Sequence, residues 1–137
     1  MTHFIQGQKD SEEHLKDLSL AVTEIKKKVW GVEEILQNNE YCLKIMRISP
    51  DHQVSMHWHS EKTETFVLIS GRLIIETLTQ EGDTRVIELT NQLQSFTLCK
   101  NVPHSFYCPK GQIGETVFIE ASTKDKENDS YRIFPSK

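Results

Sequence analysis

The sequence predicts an all-β domain with one α-helix ahead of it. Three observations carry this. From residue 28 onward, short runs alternate apolar and polar residues with a period of two. Turn-forming residues separate these runs at fairly even spacing, the signature of a β-sandwich or barrel. Before residue 28 the apolar spacing is instead three and four, the period of a helix.

Residues 1–9 carry little pattern and read as a loose tail. Asp10 and Ser11 offer a helix cap, and Glu12 and Glu13 place negative charge in the first turn, where it suits the helix dipole. Leu15, Leu18, Val22, Ile25 and Val29 form one apolar face, so a helix is expected over about 11–26. That face needs a cover, either the domain's own sheet or a neighbouring subunit.

Strands follow in order. The run 29–36 ends at Gln37, Asn38 and Asn39. The run 41–48 ends at Ser49, Pro50 and Asp51. Residues 53–59 form the next strand, and 65–70 end at Gly71 and Arg72. The run 73–79 ends in a turn around Gly82, and 85–89 stop near Asn91. Shorter strands are expected at 96–98, 105–108 and 116–120. The tail 122–128 is polar, and 131–134 form a last strand or a turn. No internal repeat and no second domain are visible. The chain divides into a tail and helix, 1–27, and a single domain, 28–137.

With 137 residues the chain can bury a core without staples. Its net charge of −4, with Lys26 to Lys28 as the single short basic run, argues against a nucleic-acid partner. No apolar stretch is long enough to span a membrane, and residues 1–6 lack the pattern of a signal peptide. Cys42, Cys99 and Cys108 are odd in number and unpaired in spacing, so they read as reduced, core or half-buried residues of a cytoplasmic protein.

Chemistry concentrates in residues 55–71. In an extended strand, side chains at i and i+2 share a face, so His57 and His59 reach one point while Trp58 points away. Glu64, five residues later, can return from the next strand as a carboxylate. Two imidazoles and a carboxylate on a β scaffold are ligands for a first-row divalent metal.

This stretch resembles the first motif of the cupin superfamily, G-x5-H-x-H-x(3,4)-E-x6-G. His57, His59, Glu64 and Gly71 fall at the required spacings, with Asp51 at the leading glycine. The second motif, G-x5-P-x-G-x2-H-x3-N, is matched by His104, with Leu93 and Asn101 at its glycines, Cys99 at its proline and Cys108 at its asparagine. Asp and Asn both tolerate the turn conformations that glycine would supply. The resemblance covers about residues 28–122. It implies a jelly-roll barrel, an antiparallel double-stranded β-helix. Inside it, one divalent transition metal (manganese, iron, zinc, nickel or cobalt) is held by His57, His59, Glu64 and His104. His3, His14 and His52 stand outside the pattern, and His52 sits in a turn.

A finer resemblance links His57-x-His59-x-x-Lys62-x-Glu64 to D-lyxose ketol-isomerases. The start around Trp30 and Gly31 is similar to the cupin domain of type II mannose-6-phosphate isomerases. These imply a carbohydrate substrate and aldose–ketose isomerisation through a metal-stabilised enediol. Glu64 and Glu120 are then the candidate proton carriers. Lys62 is a candidate cation for a hydroxyl, phosphate or oxyanion near the barrel mouth, unless it is a solvated loop residue. Glu120, near the end of its expected strand, reads more readily as a rim salt bridge. Two other readings remain open: a non-catalytic cupin that binds a sugar or sugar nucleotide, and an iron-dependent dioxygenase with Cys99 or Cys108 near the site. A homodimer is expected, since cupins often pair and the face from Leu15 to Val29 needs covering.

Overall fold

The computed structural model describes residues 24–137. Eleven strands are described: β1 (Glu24–Lys28), β2 (Gly31–Asn38), β3 (Tyr41–Ile48), β4 (Met56–Trp58), β5 (Glu64–Ser70), β6 (Leu73–Leu78), β7 (Thr84–Leu89), β8 (Ser95–Leu98), β9 (His104–Tyr107), β10 (Thr116–Thr123) and β11 (Tyr131–Phe134). They form two antiparallel sheets. The first has the order β1-β2-β3-β10-β5-β8 and the second β11-β4-β9-β6-β7. Among the described residues no strand pairing joins the sheets, so the expected closed barrel is a two-sheet jelly-roll sandwich.

Period-two alternation explains which side chains face inward. On β3, Cys42, Lys44, Met46 and Ile48 are buried and their neighbours are not. On β5 the buried set is Glu64, Phe66 and Leu68, and on β6 it is Leu73, Ile75 and Thr77. Both sheets therefore turn an apolar face to one core. Phe66, Phe106 and Phe118 meet at its centre, and the rings of Phe66 and Phe106 pack edge to face with centroids 4.6 Å apart. Each such ring contributes about 1.5–3 kcal/mol by leaving water. Lys44, Glu64 and Glu120 share inward positions with these apolar residues, and polar groups placed there need partners.

The expected helix over about 11–26 falls outside the described residues up to position 23. Residues 24–26 belong to strand β1. Ile25 and Val29, which continue the helical spacing, are 61% and 62% exposed, so their spacing marks no buried face. β1 is instead an edge strand carrying three lysines, a common protection against edge-to-edge pairing. The expected strand 53–59 is regular only at 56–58. Gln53 makes an isolated bridge to Tyr107, and the Ser55 amide donates to Ser136 Oγ, which breaks the ladder. Residues 131–134 form a strand.

The turn between β5 and β6 needs Gly71. Its φ is 78°, and a Cβ there would lie 2.9 Å from Thr116 Oγ1. Asp51 and Asn101 have φ 66° and Leu93 has φ 68°, so three positions that hold glycine in the cupin motifs keep left-handed backbone here without glycine.

Candidate metal centre

The site is built from both sheets. His57 on β4 stands directly opposite His104 on β9, so the two side chains share the inner face. His59 follows two residues after His57 and is held in place by its carbonyl, which accepts from the Asn101 amide at 2.7 Å. Glu64, the first residue of β5, reaches in from the facing sheet. The potential ligand atoms of His57, His59 and His104 all lie within 4.8 Å of one another. Glu64 stands outside that mutual group but touches two of its members, with Oε2 3.1 Å from His104 Nε2 and Oε1 3.6 Å from His59 Nε2.

The imidazoles are oriented by backbone carbonyls. Nδ1–H of His57 donates to Ser55 O at 2.8 Å, that of His59 to Asp129 O at 2.6 Å, and that of His104 to Val102 O at 2.8 Å. This arrangement fixes the tautomer and leaves each Nε2 with a free lone pair. Nε2 of His59 and of His104 are buried without a hydrogen-bond partner among the described residues. Their approach to Glu64 is lone pair against carboxylate, which gives no hydrogen bond. A buried cluster of acceptors aimed at one another is matched by a cation. The residues fit a divalent ion of the manganese, iron, cobalt, nickel or zinc group, with imidazole nitrogens and one carboxylate oxygen as donors. Burial, reinforced by His104 and His59 alongside, lowers the pKa of His57 to about 3, so His57 is neutral at physiological pH, the form in which an imidazole can bind a metal.

Behind the histidines runs a chain of buried charges. Lys62 Nζ lies 2.8 Å from Glu120 Oε2, 3.1 Å from Glu64 Oε1 and 3.4 Å from Asp125 Oδ1. Asp125 Oδ2 accepts from Lys44 Nζ at 2.7 Å, and Lys44 also reaches Glu33 Oε1 at 3.4 Å. Burial disfavours the charge on Lys62, but Glu120 and Glu64 outweigh it and push its pKa up. Burial likewise works against the Glu64 carboxylate, but the Lys62 ammonium at 3.1 Å favours its charged form and holds its pKa below the usual range. Burial pushes the carboxyl of Glu120 up despite Lys62.

Two expectations are corrected here. Lys62 is not a mobile cation at the mouth. It lies in the loop between β4 and β5, is 4% exposed, and is turned inward because three carboxylates wait there. Glu120 is not a rim residue. Strand β10 continues to Thr123, which puts Glu120 mid-strand on the inner face, opposite Lys44. The expectation for the cysteines holds for two of three. Cys42 and Cys108 are buried, with Cys108 donating to Ile48 O, whereas Cys99 is exposed. His52 is half-buried beside the carbonyl of Lys137 and outside the histidine group.

Sequence reasoning missed Lys44, Asp125 and Asp129. A lysine at an inward register of the alternating run 41–48 is the signal that could have found Lys44. The aspartates gave none. Asp129 is buried and holds the loop after His59: its carboxylate accepts from the Ser60 amide at 2.8 Å, Ser60 Oγ at 2.6 Å and the Glu61 amide at 3.1 Å. A cavity of about 650 Å³ opens from the site between the edge strands β1 and β11.

No protein-family model matches the sequence, and no curated protein matches it. Solved structures do. Oxalate decarboxylase from Bacillus subtilis aligns with TM-score 0.68 and 15% identity over 81% of this chain and 30% of that one. Oxalate decarboxylase from Lactobacillus farciminis gives 0.67 and 17%, over 80% and 33%. The capsular polysaccharide assembling protein CapF from Staphylococcus aureus gives 0.69 and 19%, over 88% and 34%. These neighbours are cupins, and the chain spans about a third of their length. The fold is thus the cupin jelly roll, carrying a three-histidine group able to hold a metal. Among the described residues, no helix is long and apolar enough to cross a membrane.

Proposed function

We propose that this chain is a metal-dependent cupin enzyme that isomerises an aldose and a ketose, the ion being held by His57, His59, His104 and Glu64. The observation that carries this reading is Glu120. It is a buried carboxylate beyond the proposed ligands, lines the same cavity as His57 and His59, and has its basicity raised by burial. A non-catalytic sugar-binding cupin has no need of such a group. A bound divalent ion would supply Lewis-acid polarisation of a carbonyl oxygen. Glu120 would take the proton from the carbon next to the carbonyl and return it to the former carbonyl carbon, while the proton of the adjacent hydroxyl passes to the former carbonyl oxygen. Lys62 holds Glu120 in place and steadies the negative charge that develops nearby. The short likeness to D-lyxose ketol-isomerases around His57, Lys62 and Glu64 supports the same substrate class. Neither Cys99 nor Cys108 lines the cavity, so the thiol argument for a dioxygenase has no support in the site.

The test is incubation of the manganese- or cobalt-loaded protein with pentoses and hexoses in deuterium oxide. Deuterium appearing at the carbon next to the carbonyl, and lost in Glu120→Gln at unchanged metal content, is the expected result. Sugar binding without exchange would favour the non-catalytic reading, and oxygen uptake with ferrous iron the dioxygenase. The reading also includes a homodimer. Ile25 on the edge strand β1 and Val29 in the turn after it, both exposed, are the residues a partner would cover. Light scattering at the mass of one chain contradicts it.

A further inference from the structure

The interior of the cavity holds two lysines against four carboxylates, all linked by ion pairs, whereas the cations at its mouth are in excess. The lining includes seven Lys or Arg residues against five Asp or Glu, in a protein whose net charge is −4. Four of the five acids, Glu33, Glu64, Glu120 and Asp125, are engaged by Lys44 and Lys62. Five cations are left over: Lys26, Lys27 and Lys28 on the edge strand β1, Lys126 in the loop before β11, which pairs with Glu61 at 3.3 Å, and Arg132 on the edge strand β11.

Arg132 is the best placed of them. It stands directly opposite His57 in the β4–β11 ladder, so the two side chains leave the sheet on the same face, with Cβ atoms about 5 Å apart. Its neighbour Tyr131 faces the other way and stacks on Trp58, with centroids 4.3 Å apart and planes at 19°, which anchors β11 at this register. Among the described residues no carboxylate pairs with the Arg132 guanidinium, and Arg132 is exposed to the cavity mouth. An unpaired guanidinium beside a metal-binding histidine is a fork for two oxygens of an anion. Lys26 and Lys28 have only loose partners, Glu24 at 4.0 Å and Glu33 at 3.9 Å, and add positive potential across the opening.

We infer that the ligand of this cavity carries an anionic group, a carboxylate or a phosphate, and that Arg132 binds it. Resting on the reading of a sugar substrate, this makes the substrate an acidic or phosphorylated sugar and Arg132 a specificity-determining residue.

The test is calorimetric titration of the manganese-loaded full chain with glucose, glucuronate, glucose 6-phosphate, acetate and inorganic phosphate, repeated on Arg132→Gln and Arg132→Lys. Glucuronate or glucose 6-phosphate should bind at least tenfold tighter than glucose, and the one preferred tells carboxylate from phosphate. Arg132→Gln should lose that tenfold with glucose binding and metal content unchanged, and Arg132→Lys should retain part of it. Arg132-dependent binding of acetate or phosphate without any sugar binding would uphold the anion site and sink the sugar reading. Equal affinity for charged and neutral ligands, or an anion preference that survives Arg132→Gln, overturns the inference even if sugars are turned over.

Discussion

Lys62 and Glu120 form a direct ion pair in the interior, Nζ to Oε2 at 2.8 Å, with both side chains at most 5% exposed. The pair joins a loop after β4 in one sheet to the middle of β10 in the other. It therefore ties the two layers together immediately behind the histidines. The energetic consequence is asymmetric. A complete buried pair is close to neutral against apolar replacements, but a broken one leaves an uncompensated charge.

Replacing Lys62 with methionine removes the cation from three carboxylates at once. Stability should fall by about 3–5 kcal/mol in urea denaturation. A solvated loop lysine would have tolerated the change. The double variant Lys62→Met, Glu120→Leu should recover part of the loss, because the stranded carboxylate is gone. A single variant as stable as the parent would show that the pair does not form.

Asp125 makes stability depend on acid. Burial raises its carboxyl, but Lys62 and Lys44 outweigh it and hold the pKa at about 2, against an unfolded value of 3.8. A carboxylate depressed in the folded state contributes fully above the unfolded pKa and loses its contribution as pH falls through the folded one. The shift corresponds to about 2 kcal/mol. Asp125→Asn should thus be less stable than the parent by that order at pH 6, and the gap should close toward pH 2. A gap that is constant across this window contradicts the assignment.

Leu93 holds a left-handed backbone at φ 68° while its side chain is 68% exposed. The strain of that conformation in an L-residue is about 1–2 kcal/mol, and an exposed leucine gives little burial in return. Leu93→Gly relieves the strain but adds freedom to the unfolded chain. A net gain of about 0.5–1 kcal/mol is expected. A destabilised Leu93→Gly would mean that the leucine side chain makes a contact worth more than its strain.

The strands were legible because a half-buried β-strand writes its burial into a period of two, as Cys42, Met46 and Ile48 do on β3. The histidines were legible because His57 and His59 need only local geometry to converge, Glu64 follows close enough to return from the next strand, and the cupin spacing added His104. Residues 24–26 misled because Ile25 and Val29 prolong a helical spacing by coincidence, while edge-strand lysines look like the charged end of a helix. Lys62 and Glu120 were misplaced because their partner is 58 residues away, and only the folded chain brings them together. Asp125 and Asp129 lie in a polar tail that resembles a solvated linker. Their contacts reach back 81 residues to Lys44 and 69 to Ser60, a relationship that no local pattern encodes.

The most direct test of the account is the metal content of the protein after dialysis against manganese or cobalt, compared among the parent and the variants His57→Ala, His104→Ala and His52→Ala. His57 and His104 face each other across β4 and β9 and each offers one ligand nitrogen, whereas His52 lies outside the group. Removing a group that only orients a ligand commonly costs tenfold or more in affinity, so removing a ligand should cost at least about that much. The account predicts one equivalent of metal in the parent and in His52→Ala, and at least about tenfold weaker binding in His57→Ala and His104→Ala. Equal metal content in all four proteins, or none in the parent, would contradict it.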